Sequence, residues 1–87
     1  MIHVLIRHRV ADFARWKAAY DGHAGERKMA GLDEEHLLRS IADPNEVVLL
    51  FAAHDLTRAR AFIGSRDLQE AMQVAGVIEG PDIYFLS

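Results

Sequence analysis

His8, Trp16, Tyr20, His23 and Arg27 are the residues of this 87-residue chain whose types and spacing can do chemistry together. From Trp16 to Arg27 the intervals are four, three and four, so on one continuous helix these side chains share or border a single stripe. An arginine on a stripe begun by Phe13 and Trp16 is out of place in a core. His8 falls on the apolar side of an alternating segment, Ile2-Val4-Ile6-His8-Val10, and so faces that helix. Polar groups converging in an apolar setting make a ligand pocket. There His8 can act as general base or hydrogen-bond donor to a phenolic or enolic ligand, and Arg27 can stabilise an anionic oxygen. Trp16, Tyr20 and His23 would contact the substrate. Each has a plainer alternative. His8 can be a core histidine bonded to a carbonyl or carboxylate, and Arg27 can snorkel to an acid at the helix end. Trp16 and Tyr20 can be ordinary core aromatics, and His23 a half-exposed surface residue.

Other chemistries lack their residues. The five histidines include no H-x-H or H-x-x-x-H pair, so no metal site is expected. The chain has no cysteine, and Ser40, Ser65 and Ser87 have no nucleophile-elbow context. The glycines of "GHAGERKMAG" do not follow a strand, as a phosphate-binding loop requires. A net charge of -3 without a basic run argues against nucleic acid. The N-terminal "MIHVLIRHRV" is too short and polar for a signal peptide or membrane span, so a cytoplasmic location is expected.

The elements that must position these residues follow from periodicity. Ile2 to Val10 is a strand, and Asp12 caps a helix carrying Phe13, Trp16 and Tyr20. That stripe continues through Ala24 and Arg27 to Gly31, which predicts one helix, with a break near Gly22 as the alternative. His36 to Ala42 and Val47 to Ala53 form a hairpin around "DPNE". Asp55 and Ser65 cap two further helical pieces separated at Gly64, and Ile83 to Leu86 closes the chain as a strand. The order β-α-β-β-α-β predicts a single ferredoxin-like α+β domain over residues 1–87, a four-stranded antiparallel sheet with helices on one face.

"VVLLFAA" is apolar throughout, and Leu5, Leu38 and Tyr84 add to the sheet face left without helices. A second copy of the same sheet is the expected cover, giving a homodimer.

The stretches "VADFARWKAAYDGH", "DPNEVVLLFAAHDLTRARAF" and "SRDLQEAMQVAGVIEGPDIYFL" resemble the small dimeric α/β-barrel proteins, the superfamily that includes the antibiotic-biosynthesis monooxygenases. The resemblance is one of layout over nearly the whole chain. It implies a barrel of two ferredoxin-like sheets with a pocket between sheet and helices. It also implies cofactor-independent monooxygenase-like or cyclase-like chemistry on an aromatic or polyketide-type molecule. Monooxygenase members often carry a pocket Asn, whereas the single Asn here, Asn45, falls in the hairpin turn. No cofactor is expected. The rival function is a non-catalytic dimerisation or ligand-carrying module with its pocket collapsed around Trp16.

Overall fold

The computed structural model describes residues 1–87. Strand β1 (Ile2–Val10) leads into helices α1 (Phe13–Gly22) and α2 (Ala24–Met29). The hairpin β2 (Leu32–Arg39) and β3 (Glu46–Ala53) follows, then α3 (Leu56–Ile63), α4 (Arg66–Ala75) and β4 (Val77–Leu86). The strands pair antiparallel in the order β2-β3-β1-β4, with Val4 opposite both Phe51 and Phe85. This is the ferredoxin-like α+β architecture, with each helical crossover divided in two.

Capping explains where the helices start. Asp12, Asp55 and Ser65 each accept a hydrogen bond from the backbone N–H three residues on, at 2.9, 3.1 and 3.2 Å. The single helix expected from Asp12 to Gly31 is instead broken at His23, where α1 ends and α2 begins. Gly22 lowers helix propensity there, and a core-facing stripe cannot hold the axis straight across two glycines three residues apart. Gly31 then takes φ +75°, the left-handed turn that releases the chain into β2.

Two strands are longer or earlier than their sequence suggests. Strand β2 begins at Leu32 instead of His36 and ends at Arg39 instead of Ala42. Its start, "LDEEH", lacks alternation because a register shift between Glu34 and His36 interrupts the pairing with β3. Strand β4 begins at Val77, six residues before Ile83. Gly80 and Pro81 read as a turn, yet β4 is an edge strand, and an edge tolerates both where pairing is irregular.

The core lies between sheet and helices. Val4, Val10, Leu49 and Phe51 from the sheet are buried with Trp16, Ala59, Ile63 and Ala75 from the helices. Across β3 the inner residues Val47, Leu49 and Phe51 are buried, while the outer Val48 and Leu50 stay half-exposed. Leu38, Tyr84 and Leu86 extend this outer apolar face and are 58, 55 and 43% exposed.

Candidate ligand-binding site

His8 occupies the helix-facing side of β1, 3% exposed among Val4, Leu49 and Phe51 of the inner face. Neither ring nitrogen has a hydrogen-bond partner in the protein. That removes the plainer alternative of an imidazole satisfied by a carbonyl or carboxylate. Burial lowers its pKa from 6.5 to about 4, with the neighbouring Arg7 charge adding to the effect, so the ring is neutral at pH 7. A neutral imidazole offers one donor and one acceptor. Leaving both unmet in an apolar site costs on the order of 1–3 kcal/mol per group.

The aromatic residues of α1 run outward from His8. Trp16, 3% exposed, meets the imidazole edge-on with centroids 5.3 Å apart, then stacks on Tyr20 at 4.8 Å. The Arg27 guanidinium carbon lies 3.5 Å from the Tyr20 ring centroid, and its Nη1 donates to the Tyr20 carbonyl at 2.7 Å. Arg27 therefore pairs with no carboxylate, contrary to the snorkelling alternative. The break at His23 is what lets α2 carry Arg27 back over α1. The Tyr20 hydroxyl donates to Glu34 at 2.7 Å. Burial first, and then that bond, push its pKa up, so Tyr20 contributes a wall and not an acid.

His8, Trp16, Tyr20, His23 and Arg27 line one half-open cleft of about 80 Å³ between the sheet and the helices. The structure thus brings all five sequence-selected residues to one place. Its far side comes from the second helical pair, notably Phe62, Leu68 and Met72. The Leu68-Ala71-Met72-Ala75 stripe was visible in the sequence, but a stripe alone does not distinguish core from cavity wall. Where a cleft takes the place of side-chain contacts, the atoms lining it lose dispersion partners. An unpartnered buried histidine and a cavity at the same spot are two destabilising features, and such departures concentrate where a protein acts.

The remaining polar residues serve the frame. Asn45 accepts from the Phe13 N–H at 3.0 Å through its side chain and from the Val10 N–H at 2.8 Å through its carbonyl, clamping the β1–α1 junction. Glu34 went unnoticed in the sequence because only the tertiary fold places it beside Tyr20. His54 pairs with Asp33 and His3 with Glu35, both away from the cleft. No group of histidine and carboxylate side chains is arranged to hold a metal, and no helix is long and apolar enough to cross a membrane.

No protein-family model matches the chain, and no curated protein matches its sequence. Solved structures do match in fold. A candidate antibiotic biosynthesis monooxygenase from Bordetella bronchiseptica superposes with a TM-score of 0.79 at 21% identity, covering 99% of this chain and 94% of that one. SnoaB, a cofactor-independent oxygenase from Streptomyces nogalater, gives 0.75 at 14% identity over 99% and 90% of the two chains. A candidate antibiotic biosynthesis monooxygenase from Caulobacter crescentus gives 0.74 at 19% identity over 98% and 86%. At these identities the likeness establishes the fold, and the chemistry rests on the site itself.

Proposed function

We propose that the protein binds a small aromatic or polyketide-type molecule carrying a phenol or enol, seating that group against His8, with Arg27 as the cation at the outer end of the aromatic row. The observation that carries this is the buried His8 ring, both of whose nitrogens lack a protein partner. A base whose pKa is near 4 is weak at pH 7. His8 therefore works first as a hydrogen-bond partner that orients the ligand. It takes the proton only where an anion forms beside it, because the resulting ion pair offsets the desolvation that lowered its pKa. Arg27, beyond Trp16 and Tyr20 in the aromatic row, is placed to stabilise an anionic oxygen farther along the ligand. Trp16 and Tyr20 supply flat walls, and His23 lies at the bend between α1 and α2.

The names of the structural neighbours extend this to oxygenase chemistry. In one such reaction an activated CH₂ group and O₂ become C=O and water, the substrate supplying all the electrons, so the step needs no redox cofactor. Cyclisation of a polyketide-type chain would use the same acid-base pair. A second copy of the chain covers the outer sheet face in this account. The small free volume favours one rival, a ligand-carrying module that binds without turnover.

Trp16 is the only tryptophan and touches His8, so its fluorescence reports the site directly. Titration with phenol is expected to give saturable quenching, weakened at least tenfold by His8→Leu. Quenching that is non-saturable, or equal in both proteins, would overturn the assignment.

A further inference from the structure

Helix α4 borders a second cleft. Gln69, Gln73 and the first residues of β4, Val77 to Pro81, border about 390 Å³ of more polar space that is open at the surface. Met72 is the one residue that lines both this cleft and the His8 cleft. The helical period explains why. Leu68, Ala71, Met72 and Ala75 face the sheet, Gln69 and Gln73 flank them, and half-buried Met72 sits on the seam.

The volumes give the seam its meaning. About 80 Å³ is roughly half of a 150 Å³ cavity that accepts benzene, so the half-open His8 cleft seats one end of an aromatic ligand, the hydroxyl edge of phenol included, while the rest of the ring lies in its mouth. Joined, the two clefts fall within the roughly 300–1,000 Å³ of pockets for multi-ring ligands. The dividing side chain is unbranched with three rotatable bonds, the type that repacks most readily. Its neighbour one turn along on the same face is the small Ala75. In the second cleft Gln69 and Gln73 present amide donors and acceptors. The Glu79 carboxylate there is already neutralised by Arg9 at 3.1 Å.

We propose that Met72 is the length gate of the ligand site, dividing a His8 subsite from a polar subsite at Gln69 and Gln73. Displacing its side chain admits an elongated multi-ring phenol or enol with a second neutral polar group, a hydroxyl or carbonyl, at its far end. This rests on the assignment of His8 as the phenol partner, and it adds ligand length and a second anchoring group.

Calorimetric titration of the whole chain with two probes tests it, phenol for the short class and 2,6-dihydroxyanthraquinone for the long. Met72→Phe, a stiffer and larger divider, is expected to weaken the three-ring probe at least tenfold more than it weakens phenol, since Met72 also lines the phenol site. Met72→Ala should shift preference toward the three-ring probe. A cooperative urea transition certifies that each variant is folded. Equal weakening of both probes by Met72→Phe, or an unchanged three-ring affinity in both variants, would overturn the gate while leaving the His8 assignment standing. Phenol binding indifferent to His8→Leu would overturn the His8 assignment instead. No phenol binding to the unaltered chain would overturn both.

Discussion

At the scale of single residues, the site is built from groups kept in states that water would not choose. His8 is the clearest case, since burial holds its pKa near 4 against 6.5 in an open chain. Between those values the unfolded chain binds the proton and the folded chain does not, so protonation favours unfolding. Stability from this residue is therefore complete above pH 6.5 and lost progressively as pH falls toward 4, by up to about 3 kcal/mol. His8→Leu removes the titrating group while keeping an apolar side chain of similar size. The prediction is that urea midpoints of the two proteins diverge as pH is lowered from 7 to 4, with the variant losing less. Parallel curves would show that folding leaves the His8 pKa unchanged. His8 was legible in the sequence because it breaks an apolar alternation, and Arg27 because it breaks an apolar stripe. The partners of Tyr20 and Asn45 were not, since Glu34 and Phe13 meet them only through contacts distant in sequence.

At the scale of elements, helices were easier to place than strand ends. Asp12, Asp55 and Ser65 cap where their side chains say they must, because capping is a local interaction. The early start of β4 was set instead by packing. Gly80 shows how. It lies within β4 at φ +88°, and a β-carbon there would come within 3.0 Å of the Arg7 carbonyl oxygen and 3.3 Å of the His8 β-carbon. Only glycine lets the edge strand approach β1 behind His8. Gly80→Ala combines a strained backbone with a close contact to backbone, and should destabilise the fold by about 1–3 kcal/mol. Thermal or urea unfolding checks this, and a change below about 0.5 kcal/mol would mean that β4 can move away from β1 at little cost.

At the scale of the whole molecule, one sheet has two employments. Its inner face shares a core with the helices and leaves a cleft beside His8, and its outer face presents Leu5, Leu38, Val48, Leu50, Tyr84 and Leu86 in neighbouring register. For a chain of 87 residues, total stability is on the order of 4–13 kcal/mol, so the unmet ring nitrogens of His8, at about 1–3 kcal/mol each, are a large concession. In the proposed dimer, burying the outer apolar face against a second copy would offset that cost, and the ion pairs of Arg7 with Glu46 and Arg9 with Asp43 at one end of that face would suit a polar rim. The apolar run of β3 made this face legible from sequence, whereas the cleft opposite it depends on how four short helices pack. The most direct test is the molar mass of the folded protein at micromolar concentration, by light scattering. Twice the 9.8 kDa chain mass is predicted, whereas a folded species at 9.8 kDa would show that one chain sustains both the cleft and a bare apolar sheet.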